Sequence, residues 1–178
     1  YRIVHERARL WAQVLGELPG VSVEQLGPGE IPVVAGDPPL HTLTYERGTR
    51  LTSDRPGTLP LLLLERGVPR PEDLQPDVEA MAVLHVCVAR PEVGLTAQPD
   101  CGCDACDDGS ESLLRALDEE ILVVLGGGVL RVTKGSRTAT RTVDGWSASG
   151  DYAPGEPERW LAGDAPPGAH VIAGEPWL

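Results

Sequence analysis

The sequence predicts an α+β protein, a single domain in which a mainly antiparallel sheet carries two long helices. Predicted strands follow one another in runs without regular βα alternation, which is typical of α+β proteins. Two segments, residues 2–18 and 110–125, place apolar residues at helical spacing. A chain of 178 residues fits one domain and can bury a core without disulfides. We therefore treat residues 1–178 as one unit.

The first helix is expected over residues 2–18. Its apolar positions recur every three or four residues, and Pro19-Gly20 follows as a stop signal. The pattern predicts an amphipathic core helix. These apolar positions are Ile3, Val4, Leu10, Trp11, Val14, Leu15 and Leu18.

Residues 19–80 form a part rich in proline and glycine that we expect to be mostly loops. Prolines fix φ and remove backbone donors, so long regular elements are not expected there. Two strands are predicted within it, at 41–46, where polar and apolar residues alternate, and at 59–65, which is mostly apolar. A short helix can start within 71–80, with Pro71 at its first position, although Pro76 limits it to little more than a turn on either side.

A further strand is predicted over residues 83–89. Successive side chains of a strand point to opposite faces, so His85 and Cys87 share one face while the apolar residues between them share the other. His85 and Cys87 are therefore candidates to face a common site. Core packing is the simpler role for a strand cysteine, since free cysteine is commonly buried.

The second helix, residues 110–125, should end at the glycine triplet 126–128. Alternating residues at 129–133 and 136–143 then predict a β-hairpin. Its basic side chains are interpreted as one strip: Arg131, Lys134, Arg137 and Arg141. Residues 150–178 form a loop-rich C-terminal tail, and the tryptophans of this end of the chain, at 146, 160 and 177, suggest that it folds back onto the body.

The charge balance excludes some partners. The chain has 27 acidic and 15 basic side chains, a net charge of -12, which repels phosphate backbones and anionic membranes. No apolar run approaches the roughly 20 residues of a membrane helix. We expect no binding to nucleic acid and no membrane association, and an acidic face of this kind favours a basic protein partner.

Three of the four cysteines, Cys101, Cys103 and Cys106, lie within six residues with the spacing C-x-C-x-x-C. Thiolates at this spacing can converge on one ion where the backbone turns tightly. A structural zinc site needs four ligands, so a fourth must come from elsewhere. The candidates are Cys87, His85, His170, Asp104 and Asp107.

Other interpretations of the cysteines stay open. Residues 103–106 have the spacing of a redox C-x-x-C motif, although the flanking aspartates disfavour thiolates and no βαβ context is predicted. A passive disulfide and free thiols are the remaining alternatives. Few cysteines in a chain of this size indicate a reducing compartment, and hence the cytoplasm. No phosphate loop, G-x-S-x-G or H-E-x-x-H motif is found, so catalytic residues cannot be named and a non-enzymatic role is favoured.

Two segments resemble a family of small actinomycete proteins classed as a domain of unknown function. They are residues 101–107, Cys-Gly-Cys-Asp-Ala-Cys-Asp, with the helix that follows, and the C-terminal Gly-Glu-Pro-Trp at 174–177. The resemblance implies a cytoplasmic setting and no particular activity. Three functional hypotheses follow: a small protein whose structural cysteine knuckle is a candidate zinc site, an inhibitor-type or immunity-type binding module with an acidic face, and an enzyme of unidentified class.

Overall fold

A computed structural model describes residues 2–31, 43–67, 82–99 and 109–178. Its helices are α1 (Arg2–Gly16), α2 (Ser110–Leu125) and α3 (Glu156–Leu161). Its strands are β1 (Val21–Leu26), β2 (Gly29–Ile31), β3 (Leu43–Tyr45), β4 (Arg47–Ser53), β5 (Leu61–Gly67), β6 (Ala82–Val88), β7 (Gly94–Gln98), β8 (Leu130–Lys134), β9 (Arg137–Thr142), β10 (Gly145–Ser149) and β11 (His170–Ala173). The α+β class with mainly antiparallel strands is confirmed.

The largest sheet has five antiparallel strands in the order β1-β4-β5-β6-β7. Its centre is β5, which begins with four consecutive leucines, residues 61–64, all of them buried. A strand whose two faces are both covered has a continuous run of apolar residues. The sheet is accordingly covered on both sides.

One face of this sheet packs against α1 and α2. Leu84, Val86 and Val88 of β6 belong to the same buried cluster as Val4 of α1 and Ile121 of α2. The opposite face carries Cys87, Leu62 and Leu64, which pack with Ile31 of the small β2-β3 sheet. The alternation predicted for β6 is therefore confirmed.

The second sheet has four antiparallel strands in the order β10-β9-β8-β11. One of its faces is covered by α3, because Val132 and Ala139 pack with the buried Trp160 and Leu161. The guanidinium carbon of Arg137 lies 4.8 Å from the centre of the Trp160 ring, a cation–π contact that fixes the same face. The other face is polar, with Arg131, Thr138 and Thr140 lining a groove.

The C-terminal residues fold back onto the five-stranded sheet. Trp177 is 3% exposed and belongs to the main buried cluster, and its indole Nε1 donates to the Leu59 carbonyl at 3.1 Å. Its backbone N–H donates to the Leu125 carbonyl at 2.8 Å. The anchoring predicted from the tryptophans holds for Trp160 and Trp177, whereas Trp146 is 51% exposed.

Two ionic clusters attach α1 to the rest of the molecule. Asp118 of α2 accepts hydrogen bonds from the Arg7 guanidinium, at 2.6 and 2.9 Å, and from Trp11 Nε1 at 2.6 Å. Glu65 of β5 lies 3.4 Å from His5 Nδ1 and accepts hydrogen bonds from Arg47, the shorter at 2.6 Å. The carboxylates of Asp118 and Glu65 are mostly buried, and buried charged groups need such partners.

The structure adds elements that the sequence did not predict. In the described part of residues 19–80 there are five strands rather than two, and the C-terminal tail contains α3 and β11. The strands form three sheets in the described ranges, not one. The helix predicted at 71–80 lies outside the described residues. Among the described helices, none is long and apolar enough to cross a membrane.

Candidate functional site: a polar groove between two sheets

The cysteine motif lies in a segment that the structure does not describe. Cys101, Cys103, Cys106, Asp104 and Asp107 fall between Pro99 and Gly109, the ends of two described ranges. The other candidate ligands, Cys87, His85 and His170, are described. Within the described residues, no three His, Cys, Asp or Glu side chains lie close enough together to hold a metal ion.

Cys87 is a buried thiol on β6. It is 0% exposed and packs with Leu62 and Leu64. Burial raises the pKa of this thiol to about 12, with a smaller contribution from Glu92. A thiolate is the reactive form of cysteine, so Cys87 stays protonated and unreactive at neutral pH.

His85 lies two residues before Cys87 on the same face of β6. Its side chain is half-buried, and its Nε2 atom is buried without a hydrogen-bond partner among the described residues. Burial and the nearby Arg66 charge lower the pKa of this imidazole. Leaving a buried ring nitrogen without a hydrogen-bond partner costs free energy. A ligand that bonds to Nε2 would recover that free energy.

His170 occupies a different part of the molecule. It begins β11, at the edge of the four-stranded sheet, where it pairs with Thr133 and is exposed. The structure thus brings His85 and Cys87 to one surface, and it does not bring His170 to that surface.

That surface is one wall of a groove of about 740 Å³ that separates the two larger sheets. His85 and Cys87 of β6 form this wall with the turn that leads into β7. The opposite wall is the polar face of the four-stranded sheet, with all of β10 along its rim. The groove-lining residues include Glu92, Leu95, Glu120, Arg131, Thr138, Thr140, Thr142, Asp144 and residues 145–149.

Arg131 is the basic residue of the groove wall. Its Nη1 lies 3.5 Å from the Gly94 carbonyl. Burial lowers the pKa of Arg131, although the charge of Glu92 opposes this effect. Because the side chain stays charged in proteins, it ties β8 to the start of β7 as a cation.

The basic residues of the hairpin do not form one strip. Arg131 pairs with Thr140 and shares its groove-facing side, whereas Arg141 pairs with Leu130 on the other side. Arg137 and Arg141 bind Glu156 and the Leu161 carbonyl of α3, at 2.7 and 3.1 Å. Lys134 donates to the Pro167 carbonyl at 2.8 Å. Strand alternation separates these charges, and three of the four are used to hold the tail.

The groove is acidic at the end where α2 meets the β9-β10 turn. Burial raises the pKa of Glu120, and repulsion from Asp144 and Glu119 adds to the effect. Glu120 and Asp144 have no ion pair with any described residue. The sequence could not place these two carboxylates together, since 23 positions separate them.

Strand β10 is the exposed rim of the groove. It is the edge strand of its sheet, and all five of its residues are exposed. Its groove-facing side chains, Ser147 and Ser149, pair with Thr140 and Thr138 of β9. These hydroxyls can each donate and accept hydrogen bonds. The arrangement can bind a polar ligand along its length.

The family of the chain is shown by a family model that matches residues 1–178, the whole sequence. The chain belongs to DUF6226, a family of unknown function. A search of curated proteins gives no significant match, and a search of solved structures gives none either. The resemblance seen in the sequence is confirmed at the level of a family of unknown function.

Proposed function

We propose that this DUF6226 chain is a binding protein that holds a basic partner protein in the groove between its two larger sheets. The observation that carries the proposal is that two features lie together at one end of the groove. They are carboxylates without an ion pair to a described residue, and the exposed edge strand β10. Glu120 and Asp144 repel each other there, and Asp151 lies just beyond the far end of β10. A cationic side chain would relieve this repulsion.

A binding role also fits the chemistry of the groove better than catalysis does. The thiol that shares its wall, Cys87, is buried and has a pKa raised to about 12, so it is a poor nucleophile. A net charge of -12 favours a basic protein and disfavours nucleic acid and anionic membranes. Enzymatic activity stays the alternative hypothesis, with His85 as the titratable group to examine.

The test uses a defined probe in calorimetry. A capped peptide of about ten alternating lysine and threonine residues matches the length of an extended strand. We expect it to bind at about 10 mM salt, where the Debye length is about 30 Å, and to weaken strongly at 0.15 M, where that length is about 8 Å. The same peptide with glutamate in place of lysine should not bind.

Matched charge variants locate the binding. The double variant Glu120→Gln with Asp144→Asn should bind the lysine peptide about tenfold more weakly, which corresponds to about 1.4 kcal/mol of binding free energy. The control pair is Glu17→Gln with Asp164→Asn, which removes the same charge from exposed positions that do not line the groove. Equal weakening by both pairs, or none by either, would show that the groove is not the binding site.

We also propose that Cys101, Cys103 and Cys106 bind a structural zinc ion, with His85 as the fourth ligand. The His85 Nε2 atom is buried without a described partner, and its neighbour Leu84 pairs with Gln98 at the end of β7. Only two residues, Pro99 and Asp100, lie between Gln98 and Cys101, so the three steps from Gln98 to Cys101 span about 10 Å at most. Zinc would fix the connection between β7 and α2.

Two of the other candidate ligands have less support. Cys87 packs between leucines, and His170 is exposed on an edge strand of the other sheet. Asp104 and Asp107 remain candidate ligands on the sequence alone. Thiolate ligands persist in reducing compartments, so this proposal places the protein in the cytoplasm.

Native mass spectrometry of protein purified without chelator or affinity metal tests the zinc site. We expect one zinc per chain, lost in Cys103→Ser, reduced in His85→Gln and kept in the control His170→Gln. A metal-free protein lighter by about two hydrogens would instead indicate a disulfide, and the zinc proposal would fail.

We further propose that the chain folds as one domain with α1 and α2 as its two long packing helices. The support is the main buried cluster, which joins Val4 of α1 and Ile121 of α2 to Ile172 and Trp177 of the C-terminal part. A single calorimetric transition with equal calorimetric and van't Hoff enthalpies would agree with this. Two separate transitions would contradict it.

A further inference from the structure

The outer edge of β10 is free along its whole length in the described part of the chain. The strand pairs with β9 on one side only, and no backbone hydrogen bond joins its outer side to a described residue. An exposed strand edge presents a row of unpaired N–H and C=O groups that another extended chain can bind. Proteins usually cover such an edge or place charges along it.

The hairpin geometry identifies which backbone groups face outward. Residues 143 and 144 form the two-residue turn between β9 and β10, so the pair Thr142 and Gly145 closes the hairpin. Hydrogen-bonded and non-hydrogen-bonded pairs alternate from there. The N–H and C=O groups of Trp146 and Ala148 therefore point away from β9, and those of Ser147 bond to it.

The charges around this edge specify the occupant. Asp144 precedes β10 and Asp151 follows it, both exposed, and Glu120 lines the groove together with Asp144. A segment lying along β10 would have acidic side chains at both of its ends. Like charges beside one another destabilise a strand pair and opposite charges stabilise it.

A second copy of the same chain is a poor occupant. Antiparallel pairing of β10 with itself, centred on Ser147, would bring Asp144 of one copy close to Asp151 of the other, twice over. Each copy also has a net charge of -12, which opposes self-association. Charge complementarity therefore favours a basic partner.

We infer that β10 accepts an extended, lysine- or arginine-bearing segment of the partner protein as a fifth strand of the second sheet. This inference rests on the proposed function and adds its mode of binding. Main-chain hydrogen bonds to Trp146 and Ala148 supply affinity, as in other cases of strand addition. Asp144 and Asp151, at the two ends of β10, select basic side chains at the two ends of the bound segment.

Hydrogen exchange with the lysine–threonine peptide tests the inference on the wild-type chain. The amides of Trp146 and Ala148 should exchange freely without peptide and slow about tenfold or more when it is saturating. The amide of Ser147 should be protected in both states. Protection of Trp146 and Ala148 in the free protein, or in a concentration-dependent dimer, would overturn the inference, because the edge would already be occupied.

The variant Ala148→Pro removes one outward donor without removing a bond to β9, and proline is tolerated at such edge positions. We expect an unchanged melting temperature and about tenfold weaker peptide binding. If the peptide binds, responds to Glu120→Gln with Asp144→Asn, and yet ignores Ala148→Pro while Trp146 and Ala148 still exchange freely, strand addition is overturned and the groove remains the binding site. No binding at all would overturn both proposals. The exchange result decides the matter if Ala148→Pro fails to fold.

Discussion

Replacing Glu65 by glutamine should cost a large part of the stability of the protein. Burial would raise the pKa of Glu65, but the hydrogen bonds from Arg47 and the nearby charges of Arg47 and His5 outweigh it and lower the pKa from 4.5 to about 2. Each pKa unit corresponds to about 1.4 kcal/mol. Because the Glu65 side chain is only 17% exposed, we expect Glu65→Gln to lose about 3 kcal/mol at pH 7.

The pH dependence follows from the direction of this shift. A carboxyl group whose pKa is lowered by folding contributes stability above its unfolded pKa of about 4.5. That contribution is lost as the pH falls toward about 2. Glu65→Gln should therefore show a flatter dependence of unfolding free energy on pH between about 5 and 2.

Urea denaturation at a series of pH values measures both quantities. The matched control is Glu24→Gln, which breaks an exposed ion pair with Arg50, 3.1 Å long, and should change stability by less than about 1 kcal/mol. Equal losses in the two variants, or an unchanged pH dependence in Glu65→Gln, would refute the assignment of Glu65 as the anchor of α1.

Three further results are expected. Trp177→Ala should lower the free energy of unfolding by about 3 to 5 kcal/mol in urea denaturation, because it empties a buried site; a loss below about 1 kcal/mol would mean that the C-terminal residues are not anchored. Gly127→Ala should lower the melting temperature more than Gly135→Ala. Both glycines have positive φ, but only the methyl group added at Gly127 would meet backbone, 2.5 Å from the Glu175 carbonyl carbon. Equal shifts in melting temperature would contradict this packing. Cys87 should resist a thiol reagent in the folded protein and react after unfolding, as followed by mass spectrometry of the labelled peptides; rapid labelling of the native state at Cys87 would contradict its burial.

The elements that the sequence predicted well are those in which the local pattern of apolar residues marks the buried positions. The second helix shows apolar residues at helical spacing and a glycine triplet at its end, and α2 runs over Ser110–Leu125. The leucines of β5 and the alternation of β6 also depend on local composition. Local pattern was sufficient because these elements pack directly on the core.

The missed strands are defined by pairing and not by their own sequence. Strand β10, Gly-Trp-Ser-Ala-Ser, has every residue exposed, so no apolar alternation marks it. Strand β1 has four consecutive exposed residues and forms the edge of its sheet. Edge strands with little burial carry a weak periodic signal, and their existence follows from the hydrogen bonds to a neighbour.

The candidate site was predictable only in part, for the same reason. The shared face of His85 and Cys87 follows from strand alternation and is confirmed. The approach of Glu120 to Asp144 and the separation of Arg131 from the other hairpin cations depend on how the sheets lie against each other. Such contacts are set by tertiary packing, which spacing along the chain does not specify.

Zero-length carbodiimide crosslinking with the lysine–threonine peptide, read by mass spectrometry, tests the groove most directly. The reagent joins a lysine amine to a carboxylate that it contacts, so the crosslinked residue reports the position of the peptide. We predict crosslinks concentrated at Asp144, Asp151 and Glu120, and suppressed at 0.15 M salt. Crosslinks spread evenly over exposed carboxylates, with Glu17 and Asp164 as reactive as Asp144, would contradict a specific site in the groove.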